Sequence, residues 1–249
     1  MEVWQSWLLA LSFFLIALLY SSVGHGGASG YLALLSFFFF SPAQMTTTAL
    51  FLNCLVAGIS FLTFTKAGYF SSRLILPFLV ASVPAAFLGG FFPIPDRIYS
   101  FLLALALLVA AVRLFVSFRP SKSMGVAPPS VKVALPVGAG IGWLSGIVGV
   151  GGGIFLSPLL LLLRWADPKE TAAAASGFIM LNSLAGLAGR WMNGGIEIGA
   201  LGVFMSAAFL GGLIGARLGA NHFSGMSLRR LLGVVLIIAS AKLIVRSFS

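Results

Sequence analysis

The chain has 249 residues, 59% of them hydrophobic and only 8% charged, with a mean hydropathy of +1.09. A water-soluble domain carries about a quarter charged residues, so a soluble fold is excluded and an all-α, polytopic membrane protein is expected. Lysine and arginine total 15 against 5 acidic residues, yet no nucleic-acid-binding pattern accompanies them; basic residues at the ends of spans answer instead to the positive-inside rule and anionic head groups.

In chain order, the first apolar run is Trp7 to Tyr20. It follows Glu2 rather than a basic stretch and precedes no small-residue cleavage site, so it is not read as a removable signal peptide. It opens a longer element, Gln5 to Phe40, interrupted by Gly24-His25-Gly26-Gly27. Hydrophobic patterning then predicts helices at about 43–65, 74–92 and 98–118. Residues 119–130, with Ser121, Lys122, Ser123, Gly125 and the pair Pro128-Pro129, read as a linker. A second interrupted element runs from Val131 to Leu163, broken at 149–153, and is followed by helices at about 170–191, 198–219 and 228–247. The lone Cys54 permits no internal disulfide and reads as a small packing residue.

The two stretches, 1–118 and 131–249, repeat one design. Val23-Gly24-His25-Gly26-Gly27-Ala28 aligns with Val148-Gly149-Val150-Gly151-Gly152-Gly153; Leu52-Asn53 with Leu181-Asn182; Ala86-Phe87-Leu88-Gly89-Gly90 with Ala208-Phe209-Leu210-Gly211-Gly212; and Arg113-Leu114 with Lys242-Leu243. The order is kept and the offset stays between 122 and 129, which chance does not readily supply.

Each interrupted element has an awkward length. Gln5 to Phe40 would extend ~54 Å as one helix, against a hydrocarbon core of ~30 Å. It is either a broken helix that crosses once or a re-entrant element that dips in and returns. If both cross, the basic residues divide nine against six between the two faces; if both re-enter, they divide eleven against four. The second division is the stronger positive-inside asymmetry. It favours six full spans plus two re-entrant elements, with inverted halves and both termini outside.

All five acidic residues, Glu2, Asp96, Asp167, Glu170 and Glu197, fall at the N-terminus or between apolar runs. Cation carriers place acidic groups inside the membrane as counter-charges; their absence there favours an anionic or neutral solute. The glycine clusters supply a place for one. Irregular backbone at mid-membrane depth is tolerated chiefly where it lines a cavity, and the helix start that follows turns unpaired N–H groups and a positive dipole end toward it. Broken helices in matching positions of two halves mark a transporter's binding site. Gly138, Gly142 and Gly146, and Gly211, Gly215 and Gly219, at four-residue spacing, read instead as close helix packing.

The segment Ser145-Gly146-Ile147-Val148-Gly149-Val150-Gly151-Gly152-Gly153-Ile154-Phe155-Leu156-Ser157-Pro158-Leu159, with its first-half echo Ser22-Val23-Gly24-His25-Gly26-Gly27, resembles the paired glycine motif of the TauE/SafE sulfite exporter family. That resemblance implies a prokaryotic inner-membrane permease for sulfite, sulfoacetate or a related organosulfur anion, with no cofactor or metal and with the lipid bilayer as its surroundings. His25 departs from the repeat, whose second copy has Val150.

The candidate substrate-binding residues are therefore Gly24, His25, Gly26 and Gly27 of the first turn, Gly149, Gly151, Gly152 and Gly153 of the second, and Asn53, Asn182 and Arg190. His25 is either a protonatable anion ligand or a neutral imidazole bonded to freed backbone. Asn53 and Asn182 can donate amide hydrogens, with Ser22, Ser29, Thr47 and Ser176 as further donors; interhelical hydrogen bonding is their other reading. Arg190 is either a forked anion ligand or an interface anchor, and Lys66 shares the second reading. Gly27-Ala28-Ser29-Gly30 matches the G-x-S-G pattern of rhomboid proteases, but the only distant base is His222 and the second copy lacks the serine. A passive anion channel is the nearer alternative. No G-x-x-x-x-G-K-[ST] phosphate loop occurs, so ATP is not the direct driver.

Overall fold

The computed structural model describes residues 3–38, 40–115, 129–194, 201–221, 236–238 and 240–245. Among them the chain is all helix and turn: α1 (Val3–Ser21), α2 (Ala28–Ser36), α3 (Pro42–Lys66), α4 (Ser72–Phe91), α5 (Asp96–Phe115), α6 (Val131–Val148), α7 (Gly153–Leu162), α8 (Pro168–Met192) and α9 (Leu201–Asn221), with more helix at 236–238 and 240–245. Four of these, α3, α4, α6 and α8, are each long and apolar enough to cross a membrane. The linker at 119–128, His222 and most of the last expected span lie outside the described residues.

Local chemistry sets the helix starts. Ser41 and Gln44 form a capping box, each side chain bonded to the other's backbone N–H at 3.1 Å, and Pro42 takes the first helical position. Asp167, Pro168 and Glu170 repeat the pattern at α8, where Glu170 accepts from the Asp167 N–H at 3.1 Å. Gly68 after α3 and Gly194 after α8 both adopt positive φ, +82° and +67°. These matches, at an offset of 126, extend the internal repeat beyond the four blocks found in the sequence.

Close contacts give the helix directions. Gly138, Gly142 and Gly146 of α6 face Phe78, Ser82 and Ala86 of α4 in that order, so α4 and α6 run parallel. Gly211, Gly215 and Gly219 of α9 face Phe14, Leu18 and Ser22 along α1, again parallel. A Cβ at any of the six would strike a facing carbonyl oxygen, the close approach that their spacing implies. Gly58 faces Met180 and Gly177 faces Phe61, which makes α3 and α8 antiparallel. Gly212 sits by Val56, and Ala220 clusters with Phe64, so α9 follows α3. Leu74 and Phe78 pack with Ala174 and Phe178 while Gly90 meets Gly186, so α4 follows α8. Helices α1, α3 and α9 thus point one way and α4, α6 and α8 the other.

Call the end where α3 starts the near end and the opposite the far end. Helix α1 runs from the near end toward the far end, where Gly24 rests against Ala172 in the first turns of α8. The chain then reverses, and α2 leads back to the near end, five residues before α3. The second element mirrors this: α6 runs toward the near end, Gly149 rests against Thr46 in the first turns of α3, and α7 returns toward the start of α8. The two arms of each element scarcely touch. Neither is a straight rod nor a tight hairpin: a long arm crosses most of the bundle and a short arm returns.

Candidate functional site

The turns between the arms are irregular because of their glycines. In the first, Gly24 and Gly27 have φ of +76° and +94°; in the second, Gly149, Gly151 and Gly152 have φ of +82°, +79° and +80°, values that cost L-residues with a Cβ roughly 1–2 kcal/mol each. The first backbone bond of α2 runs from the Tyr31 N–H to the Gly27 carbonyl at 3.0 Å, and that of α7 from the Phe155 N–H to the Gly152 carbonyl at 3.0 Å. The N–H groups ahead of them have no intrahelical acceptor, as at any helix start.

Both turns close on Asn53, near the middle of α3. A Cβ at Gly26 would collide with Asn53 Oδ1, and one at Gly151 would lie 2.5 Å from Asn53 Nδ2. The carboxamide is held between the two turns, is 0% exposed, and neither its oxygen nor its nitrogen has a hydrogen-bond partner. Ser183 Oγ, also fully buried and unpartnered, lies on the same side of Gly151. An unpaired buried amide costs about 1–3 kcal/mol, which a chain does not retain here for stability.

Beside the turns is a cavity of ≈ 10 Å³ lined by Tyr20, His25, Gly26, Gly27, Ala28 and Ser29 of the first element, Val150 and Ile154 of the second, and Ile179 of α8. That is space for about one water. The two elements therefore meet beside a space too small, in this arrangement, for a solute of several heavy atoms.

His25 is 2% exposed. Its Nδ1 lies 3.0 Å from the Val23 carbonyl and its Nε2 lies 3.1 Å from Ser157 Oγ, which itself donates to the Gly153 carbonyl at 2.8 Å. A carbonyl only accepts, so Nδ1 donates to Val23, while Nε2 and the Ser157 hydroxyl can each take either role. The same bonds tie the first glycine turn to α7.

The remaining candidates separate. Asn182 is fully buried, but its Nδ2 donates to the Phe178 carbonyl of its own helix at 2.9 Å and only Oδ1 is unpartnered. The caps of α3 and α8 align at an offset of 126, which makes Ile179 the counterpart of Asn53; Ile179 and Ser183, not Asn182, meet Gly151. Ser22 and Ser176 bond to their own helices, Ser29 pairs with the Tyr20 hydroxyl at 2.7 Å, and Thr47 Oγ1 is buried without a partner. Lys66 is exposed at the end of α3, as an anchor would be. Arg190 is not brought to the turns: it is half-buried at the near end, where Nη2 donates to the Ile147 carbonyl at 2.9 Å. Sequence reasoning missed Ser183 and Ser157, although Ser157 stands inside the glycine motif and Ser183 next to Asn182.

A family profile described as sulfite exporter TauE/SafE matches residues 9–243. A probable membrane transporter protein of Sinorhizobium fredii is 38% identical over 239 residues, covering 95% of this chain and 97% of its own. A second probable membrane transporter protein, from Bacillus subtilis, is 26% identical over 112 residues, covering 45% of this chain and 41% of its own. No solved structure matches.

Proposed function

This chain belongs to the TauE/SafE sulfite exporter family, a family of membrane transporters rather than enzymes, and from that premise we propose that it carries a small anion, sulfite or a related organosulfur anion, across the prokaryotic inner membrane by alternating access. The observation that carries the reading is the Asn53 carboxamide, buried and unbonded between two glycine turns whose helix starts supply further donors. An anion seated there would accept from Asn53 Nδ2, from Ser183 and from turn N–H groups. His25 borders the same space beside Gly26 and Gly27.

Helix directions support inverted halves. Each helix and its repeat counterpart, α1 with α6, α3 with α8 and α4 with α9, point in opposite senses. Both interrupted elements start and finish at one end, opposite ends for the two. Inverted repeats around a central site are the usual architecture of alternating access.

The test is counterflow in proteoliposomes with radiolabelled sulfite. A carrier shows uptake accelerated by unlabelled sulfite inside; a channel shows anion conductance with no such acceleration, and would overturn alternating access. The protease reading makes Ser29 indispensable, whereas here Ser29 only bonds Tyr20, so Ser29→Ala is expected to transport normally.

A further inference from the structure

A second, larger cavity lies away from the glycine turns, at the near end. It has a volume of ≈ 200 Å³ and is bounded by the start of α3 at Pro42 and Ala43, Gly89 and Gly90 of α4, the connection at 92–94, Asp96 and Tyr99 of α5, Ile147 of α6, and Arg190 and Asn193 of α8. At about 30 Å³ per water, that is room for several waters or one small polyatomic solute, well below the 300 Å³ or more of a drug-sized pocket.

Its charge is unusual. Arg190 gives one bond, to the Ile147 carbonyl, and its Nε is buried with no partner. Asp96 borders the same space, but it is exposed in the first turn of α5, where the helix dipole stabilises it, and it forms no ion pair with Arg190. A guanidinium withdrawn from water without a counter-ion is costly. Its planar fork is built for an oxyanion. The tyrosine beside it is engaged: Thr46 Oγ1 donates to the Tyr99 hydroxyl at 2.9 Å.

Two contacts join this cavity to the second glycine turn. The carbonyl held by Arg190 belongs to Ile147, two residues before Gly149. Thr46, bonded to Tyr99, is also the residue against which Gly149 packs. An anion on Arg190 would compete with the Ile147 carbonyl for the guanidinium and loosen the end of α6 that positions the turn.

We propose that the near-end cavity is a second anion site, an antechamber in which Arg190 binds a small oxyanion before it passes the second glycine turn to Asn53. The proposal rests on the cargo being an anion, and not on where the central site lies. It predicts a split between apparent affinity and maximal rate, because the antechamber governs capture and the central site governs passage.

Radiolabelled sulfite uptake into proteoliposomes reads that split. Arg190→Gln is expected to raise the KM for sulfite about tenfold or more, with maximal rate little changed, and Arg190→Lys to recover part of the loss through charge without the fork. Ala43→Phe fills the cavity and leaves the arginine in place; it is expected to raise KM in the same direction, and it carries the test should the glutamine variant fail to fold. Wild-type uptake with an unchanged KM in a folded Arg190→Gln, or in Ala43→Phe alone where the former does not fold, overturns the antechamber and leaves the proposed function standing. A wild-type protein that neither binds nor moves sulfite overturns the proposed cargo, and the antechamber for it.

Discussion

Replacing Asn53 with leucine separates a residue kept for function from one kept for stability. Leucine has a similar branched shape, so its two methyl groups would occupy the space of Oδ1 and Nδ2 between Gly26 and Gly151. In the closed state neither polar atom is bonded and the residue is 0% exposed. The substitution therefore forfeits no internal hydrogen bond and removes a desolvation penalty of about 1–3 kcal/mol. Converted at roughly 2–4 °C per kcal/mol for a chain of this size, Asn53→Leu should raise the apparent Tm of the ligand-free protein in detergent by about 2–12 °C. The same chain should lose sulfite counterflow by about tenfold or more, since a donor to an anion contributes about 1.5–3 kcal/mol. Tm would be followed by intrinsic tryptophan fluorescence, and the added sulfite that raises Tm in the wild type should raise it less in the variant. An Asn53→Leu chain that melts lower and transports as well as the wild type would refute the reasoning, because the amide would then be a structural bond and the anion would go elsewhere.

His25→Leu should lower the apparent Tm, because it removes the bonds that tie the first glycine turn to Ser157 of α7; an unchanged Tm would mean that the turn and α7 are not joined through His25. Gly142→Leu should destabilise the fold by about 1–3 kcal/mol or prevent folding, because a side chain there strikes the Ser82 carbonyl of α4; an unchanged Tm would mean that α4 and α6 do not meet as described. In a Cys54→Ala background, single cysteines at Phe38 and at Arg164 should label with an impermeant thiol reagent from opposite faces of sealed vesicles. Labelling from one common face would contradict inverted halves.

The glycine clusters were legible because near-continuous glycine has no cheap place in a membrane helix, and their pairing was legible because the repeat put them at one offset. Packing by Gly138, Gly142 and Gly146 followed from spacing alone, since residues four apart share a helix face. Sequence could not say which asparagine reaches the turns. The sequence blocks pair Asn53 with Asn182 at an offset of 129, but the caps at both ends of α3 and α8 align at 126, which pairs Asn53 with Ile179. Asn182 falls three residues further along and bonds Phe178, while Ile179 and Ser183 meet Gly151. Arg190 was misplaced for a related reason. Two turns along α8 from Asn182 it keeps nearly the same face, but it lies about 12 Å further along the axis, which is enough to put it in another cavity.

The exchange of partners between halves constrains how such a carrier can move. Helix α4 of the first half is locked to α6 of the second through three glycines, and α9 of the second to α1 of the first through three more. Interfaces in which a glycine meets a backbone carbonyl have no flexible side chain to re-pack, so each pair shifts as a block. Helix α8 is held to α4 in the same way, Gly90 against the Gly186 carbonyl and Gly189 against the Phe87 carbonyl, so it belongs to the α4–α6 block. Helix α3 meets α8 through long side chains such as Phe61 and Met180 that can change rotamer. Each block carries one long arm, and therefore one side of one glycine turn. On the alternating-access proposal, the seam between α3 and α8 is where the blocks would slide, withdrawing Gly151 from Asn53 while every helix stays intact.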